Sequence, residues 1–283
     1  MRPSEGKGLG VFATKLIPRG TQIIVEQPLI SVAVPEMVAG QGFKIMDMLS
    51  DLETEFQILS PEQQAEFLQL HDFRFPSEDK QSRLLTIFRS NAYNTGDQNV
   101  GLFPKLARIN HSCMPNSGNW WSEKQGRRVI YAAVDIQTDE EITVSYIPLL
   151  KKSSERQKRL GQYGFTCDCP VCQSQSEEGD RRRTRIASLL ETLEQKVYHP
   201  SKNSVANEKS MDKAISLIQM IEDEGLTDYL TRAFKLAALF SKRGGHLEDA
   251  ERWARKELDI LRWAELESIE VRVVLDFIES LWA

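Results

Sequence analysis

The chain has four cysteines, and they fall in two clusters. Cys113 lies in Asn110-His111-Ser112-Cys113-Met114-Pro115-Asn116, and the other three in Cys167-Asp168-Cys169-Pro170-Val171-Cys172. Three thiolates spaced C-x-C-x-x-C can wrap one face of a zinc ion, and a closed tetrahedral site takes a fourth ligand. Cys113 or a histidine can supply it. If Cys113 does, one ion clamps the loop after Asn110-His111 to a segment more than fifty residues downstream. A C-x-C-x-x-C run favours a structural metal over a catalytic one. Such an ion would contribute folding energy to a segment too small to bury a core of its own.

A scaffold must hold those loops. With 283 residues, 41% hydrophobic and 27% charged, the chain can bury a real core. Its net charge of −5 offers no global attraction to nucleic acid, and no direct nucleic-acid contact is expected. The N-terminus lacks the apolar run of a secretory signal. The longest apolar stretches, such as Val271 to Ile278, are broken by charge and too short to span a bilayer, so no membrane partner is expected. Clustered cysteines then suit a reducing compartment, nucleus or cytoplasm, where they mean metal more often than disulfide.

Along the chain, residues 6–34 read as β structure, with Gly6, Gly8 and Gly10 in a tight turn before strands at Val11-Phe12-Ala13 and Thr21–Glu26. Pro18-Arg19-Gly20 is the turn between them. From about Pro35 to Tyr93 the pattern is helical and charged. Ser60-Pro61-Glu62-Gln63 is a helix start with a Ser cap, Pro at the first position and a capping-box Gln. Leu84, Ile87, Phe88 and Asn91 recur at helical spacing. Strand signals return at Arg127–Asp135 and Glu141–Tyr146. A short basic helix is expected over Lys151–Arg159, and residues 173–183 read as a polar linker. Everything beyond is helical in period. The helices around Ala233–Lys242 and Leu247–Trp263, hinged at Gly244-Gly245, are similar to one tetratricopeptide-type unit.

Four stretches in order carry a family resemblance. Gly6-Lys7-Gly8-Leu9-Gly10-Val11-Phe12-Ala13 resembles the opening of a SET domain, and Arg108–Asn116 its signature. Asp139-Glu140-Glu141-Ile142-Thr143-Val144-Ser145-Tyr146 resembles its catalytic strand, and Tyr163–Cys172 the post-SET zinc segment. The helical insert and helical C-terminus are similar to the SMYD (SET and MYND) type. No cysteines are spare for a MYND finger, and fungal-type single-SET proteins resemble this shortened layout. The resemblance implies an α+β fold, with small β-sheets around a pseudo-knotted centre. A SET domain over 1–150 would contain the insert at about 35–93, followed by a post-SET segment over 151–176 and a helical, TPR-like region over 177–283.

The resemblance also implies S-adenosylmethionine-dependent N-methylation of a lysine on a protein, histone or non-histone, by a monomer. Methyl transfer from sulfonium to amine is an in-line displacement, so much of the catalysis is positioning in a dry channel. By family analogy Tyr146 is the hydroxyl at the transfer point. Backbone groups of Lys7, Gly8 and Leu9 together with Asn91, Asn110, His111, Tyr146 and Phe165 would hold the cofactor, and Tyr163 and Phe165 would line the lysine channel. Cys113, Cys167, Cys169 and Cys172 would bind one structural Zn2+.

Taken singly these residues have plainer readings. A Gly-x-Gly-x-Gly is usually a turn. Tyr146 after Ile142 and Val144 is a strand residue packed at a sheet edge. Asn110 and Asn116 cap turns through Asx bonds, and His111 is a satisfied, partly buried histidine. Arg181-Arg182-Arg183 reads as a solvated helix face, and Trp253, Trp263 and Trp282 as core. The competing function is a SET scaffold that no longer catalyses and binds partners through its helical C-terminus; zinc-dependent nucleic-acid binding is disfavoured by the acidic balance.

Overall fold

The computed structural model describes residues 1–35, 37–38, 42–43, 45–96, 98–174, 176–199 and 204–283. The N-terminal part is built from short strands. β1 (Arg2–Ser4) and β2 (Gly8–Gly10) form an antiparallel hairpin. β3 (Gln22–Glu26), β4 (Ile30–Ala33), β5 (Met37–Val38) and β6 (Gly42–Phe43) precede helices α1 (Leu49–Gln57), α2 (Pro61–Leu68) and α3 (Arg83–Asn91). Then come β7 (Ala92–Asn94), β8 (Asn99–Leu102), β9 (Asn110–His111), β10 (Ser117–Ser122), β11 (Arg127–Ala132) and β12 (Thr143–Val144). Three-stranded antiparallel sheets form in the orders β10-β11-β3 and β4-β8-β7. The pairing that matters most is the parallel one: Thr143 lies opposite Asn110 and Val144 opposite His111.

The rest is helical: α4 (Ser153–Leu160), α5 (Pro170–Gln173), α6 (Glu177–Tyr198), α7 (Ser204–Asp223), α8 (Leu230–Gly244), α9 (Leu247–Ala264) and α10 (Ile269–Glu279). From α6 on, each helix packs against the next. Their apolar faces, including Leu217, Ile221, Leu236, Phe240 and Leu258, share one core with the four cysteines. Burying a side chain the size of Phe240 contributes about 1.5–3 kcal/mol. A second core lies under the α1–α3 insert, and a third joins Phe103, Leu106, Ile109, Ile130 and Val144 at the centre of the small sheets.

Local chemistry accounts for several of these elements. Ser60 Oγ accepts from Gln63 N at 3.3 Å while Gln63 Oε1 accepts from Ser60 N at 3.0 Å, so α2 starts on the expected capping box. Thr21 N donates to Pro18 O, closing the turn at Pro18-Arg19-Gly20. The expected helical insert from about residue 35 falls partly on residues 36, 39–41 and 44, which lie outside those described; residues 37–38 and 42–43 pair as strands, and helix begins after them.

Several expectations are corrected. The glycine-rich opening is not one turn: Lys7 N bonds Ser4 O, and Gly8–Gly10 is strand β2. Phe12 forms only a single bridge to Glu141. A Cβ at Gly10 would sit 2.2 Å from Glu141 Oε1, so a larger residue would push that carboxylate aside. Residues 173–183 (Gln175 lies outside the described residues) are not a linker, for α6 begins at Glu177 with Ser176 Oγ accepting from Gly179 N. Arg183, read as solvated, is fully buried, because the helix delivers it under the cysteine loop. Trp253 is core and stacks on Phe234 at 5.9 Å, but Trp282 is 59% exposed beyond α10. Trp263 is half-buried and docks α9 onto the sheet: Arg19 lies over its ring, and Gln22 Nε2 donates to the carbonyls of Trp263 and Ala264.

Glu257 sits in the α8–α9 core, and burial pushes its pKa from the ordinary 4.5 to about 7, with Lys235 opposing the shift. The fold therefore favours the neutral acid. Its contribution is full below about pH 4.5 and is lost as pH rises through about 7. Glu257→Gln should flatten this dependence and be about 2–3 kcal/mol more stable than the parent at pH 8. Urea unfolding at pH 5 and pH 8 measures it; parallel profiles for the two proteins would contradict the assignment.

Candidate functional site

Segments distant in sequence are laced together around β9 and β12. Asn116 Oδ1 accepts from Thr143 N at 2.9 Å, and its Nδ2 donates to Glu141 O at 2.8 Å and Glu140 Oε1 at 2.9 Å. This is a cross-brace, not a local Asx turn. The parallel pair then brings Tyr146, two residues beyond β12, against β9. Tyr146 is held at both ends: its backbone N–H donates to His111 Nδ1 at 3.1 Å and its hydroxyl donates to Ile109 O at 2.5 Å. Tyr163, His111 and Phe165 surround its ring at centroid distances of 5.2, 5.4 and 6.3 Å. Burial, with nearby Tyr93, Tyr163 and Glu141, pushes the Tyr146 phenol well above its ordinary range, so it remains protonated. Burial also pushes His111 down to about 4, and its ring is neutral.

Gly164 separates the two flanking aromatics. Its φ is +83°, and a Cβ there would lie 2.2 Å from the Phe73 ring, so only glycine lets Tyr163 and Phe165 turn in on the same space. His71 Nε2 donates to Tyr163 O at 3.0 Å and ties this turn to the loop after α2.

The result is a cavity of about 570 Å³, within the size range of small-molecule sites. Lys7, Gly8, Leu9, Asn91, Asn110, His111, Tyr146, Tyr163 and Phe165 all line it, so every cofactor and channel candidate from the sequence converges here. Asn91, at the last turn of α3, donates Nδ2 to Ile87 O at 2.7 Å and His71 O at 2.8 Å, and Oδ1 is the acceptor it offers. Asn110 Nδ2 donates to Leu9 O at 3.1 Å and Glu141 Oε1 at 2.7 Å, fixing the β2 backbone against the cavity. The Lys7 ammonium lies 3.9 Å from Glu141 and 3.8 Å from Asp168. Sequence reasoning missed other lining residues, among them Gln69, Leu70, His71, Tyr93 and Arg108. Gln69, Leu70 and His71 follow α2 and Tyr93 lies within β7, positions that no motif marks, while Arg108 opens the signature stretch but was given no role there.

Beneath the cavity the four cysteines are buried, unpaired as disulfides, and all four Sγ atoms lie within 4.8 Å of one another. A tetrahedral zinc with bonds of about 2.3 Å needs sulfurs about 3.8 Å apart. Cys113 and Cys172 are at 3.6 Å. The donor set fits, Cys113 takes the fourth position, and no histidine is required. Two buried guanidiniums lie beside the cluster. Arg156 donates to Lys151 O at 2.6 Å, and although burial opposes its charge, the sulfurs of Cys113 and Cys172 hold its pKa above the ordinary value. Arg183 donates to Cys113 O at 3.0 Å, to Leu149 O at 3.3 Å and to Glu224 at 3.0 Å.

A SET-domain family model matches residues 8–147. The chain is 27% identical over 256 residues to "Histone-lysine N-methyltransferase set5" of Schizosaccharomyces pombe, covering 86% of this chain and 75% of that protein. It is 42% identical over 83 residues to "Histone-lysine N-methyltransferase SMYD3" of Homo sapiens, a match covering 29% of this chain and 19% of that one. With "Histone-lysine N-methyltransferase ASHR1" of Arabidopsis thaliana the identity is 30% over 186 residues, 62% of this chain and 38% of the relative. The chain thus spans three quarters of the first of these relatives and much less of the other two.

Proposed function

We propose that this chain, which matches the SET-domain model over residues 8–147 and has SMYD proteins and set5 among its relatives, is an S-adenosylmethionine-dependent protein-lysine N-methyltransferase. One observation carries the reading: nine residues from five separate segments, each matched to a family role from sequence, line a single cavity. A scaffold that binds only through its C-terminal helices has no need of that convergence.

When bound, S-adenosylmethionine supplies a methyl group on a sulfonium. The chain's residues do the holding. Asn91 Oδ1 and the backbone of residues 7–9 suit the amino-acid end, and Asn110 with the His111 backbone suits the nucleoside. The acceptor lysine must be neutral, and at pH 7 deprotonating it costs about 4–5 kcal/mol. The aromatic walls of Tyr163 and Phe165 disfavour the ammonium by excluding water. Tyr146 is not the base, because its phenol keeps its proton and uses it in a hydrogen bond to Ile109 O. Its oxygen lone pairs are free to accept the amine N–H and aim the nitrogen at the methyl. The lysine proton leaves to solvent at the channel mouth. Zinc at Cys113, Cys167, Cys169 and Cys172 is architectural and holds the loop after His111 against the Tyr163–Phe165 turn.

The relatives' names point to histones as the first substrates to try. Among the described residues no helix is long and apolar enough to cross a membrane. Calorimetric titration with S-adenosylmethionine, followed by labelling of a proteome with a tagged methyl donor, tests the proposal. Saturable one-site binding and label on lysine support it. A folded, zinc-loaded chain that binds no cofactor would instead favour the scaffold.

A further inference from the structure

We propose that the His111 ring is a positioning residue through which the zinc-bound sulfur of Cys113 sets the place of Tyr146. The proposal rests on the methyltransferase reading above and on zinc at the four cysteines. It concerns the imidazole, not the His111 backbone that borders the cofactor space.

The hydrogen-bond geometry leaves one arrangement of the ring. His111 is 2% exposed, so water does not complete its bonding. A backbone N–H can only donate, so His111 Nδ1, 3.1 Å from Tyr146 N, carries no proton. The ring's single hydrogen is therefore on Nε2. That atom lies 3.4 Å from Cys113 Sγ, and the sulfur is its acceptor. A thiol is a weak acceptor, whereas a metal-bound thiolate carries charge and makes the stronger, charge-assisted bond. The tautomer that holds the Tyr146 amide is the one the thiolate stabilises. This reverses the usual arrangement in metal sites, where the partner of a ligating histidine lies outside the shell. Here the histidine is the outer partner, and the group it orients is the backbone of Tyr146.

The consequence reaches the hydroxyl. Two hydrogen bonds hold Tyr146, from its amide to the His111 ring and from its phenol to Ile109 O, and both anchors belong to one short stretch, residues 109–111. If the Nε2–H···S bond is lost, the ring is free to change tautomer, and Nδ1–H then faces the Tyr146 N–H, donor against donor. The amide end must shift, and the phenol oxygen moves with it.

Two substitutions separate the halves of the relay. In His111→Asn, Oδ1 can replace Nδ1 as acceptor for Tyr146, but nothing reaches the sulfur. In His111→Gln, the amide nitrogen can replace Nε2 as donor to the sulfur, but the acceptor is lost. Long-range 1H–15N correlation spectra of the zinc-loaded, histidine-labelled full chain should show His111 as the Nε2–H tautomer. After cobalt replaces zinc, the thiolate-to-metal charge-transfer band should move to lower energy in His111→Asn and stay near its parent position in His111→Gln. Turnover should fall about 10- to 100-fold in both, with KM for the cofactor within about threefold. An Nδ1–H tautomer or an imidazolium in the parent protein overturns the proposal, as does an unmoved band in a four-thiolate His111→Asn protein. Methylation by the parent in the face of either result would leave the enzymatic reading intact and remove only the relay. The parent spectrum decides even if both variants fold poorly.

Discussion

On the proposed function, Tyr146→Phe should lower the turnover of lysine methylation about 100- to 1,000-fold while cofactor affinity stays within about threefold. The phenol lies within the cage of Tyr163, His111 and Phe165, and its proton is already committed to Ile109 O. In the proposed reaction the hydroxyl offers the amine a placed acceptor. Removing it leaves ring packing intact but frees the amine to rotate, so the loss falls on kcat rather than on binding. The substitution also leaves Ile109 O without its donor, which costs about 1–3 kcal/mol of stability. Single-turnover label transfer alongside calorimetry separates the two effects. A Phe variant that methylates as fast as its parent removes Tyr146 from the mechanism.

Arg183→Met should destabilise the zinc-loaded protein by about 3–5 kcal/mol, because it breaks a buried charge pair from one side. Arg183 is fully buried, and its partner Glu224 is 7% exposed. After the substitution Glu224 keeps only Arg182, whose side chain is 42% exposed, and the carbonyls of Cys113 and Leu149 lose their donor. At about 2–4 °C per kcal/mol for a chain of this size, the melting temperature should drop by roughly 6–20 °C. Zinc should also leave faster to a chelator, since Cys113 O is the point at which α6 grips the metal loop. Arg183→Lys should rescue little, because one ammonium cannot serve three acceptors set in different directions. The double change Arg183→Met with Glu224→Met should recover part of the loss by removing the orphaned carboxylate. A melting temperature unchanged by Arg183→Met would mean that the C-terminal helices do not support the metal loop.

The metal donors were legible because ligand chemistry is local. Only four cysteines exist, and three of them carry their spacing within six residues. Helix α2 was legible for the same reason, with its capping box contained in Ser60–Gln63. His71 was not. It reaches the cavity only because α2 and α3 fold back onto the Tyr163–Phe165 turn, ninety-two residues away. Tyr93 follows α3 directly and looks like any strand aromatic.

Arg183 shows the limit most clearly. In one dimension it belongs to a charge run beside Glu177 and Glu178, and the surface reading is the natural one. Arg181 obeys it, exposed and paired with Glu178. Two positions later, helical rotation turns Arg183 inward, where Glu224 and the Cys113 carbonyl are waiting. The glycine-rich opening went the other way: Lys7, Gly8 and Leu9 line the cavity, but that Gly8–Gly10 form a strand depended on pairing with β1.

By itself, the amino-acid order determined the inventory of this protein: four sulfur donors, the asparagines and aromatics of the cavity, an α+β chain that ends in helices. Residue type and short-range spacing are enough for that. Only the tertiary structure decided which atoms meet: that Cys113 closes the sulfur tetrahedron, that the His111 ring stands between that sulfur and Tyr146, and that α6 sends an arginine beneath both. Those contacts cross tens of residues of chain, and their directions are set by helix rotation and by the parallel pairing of β9 with β12.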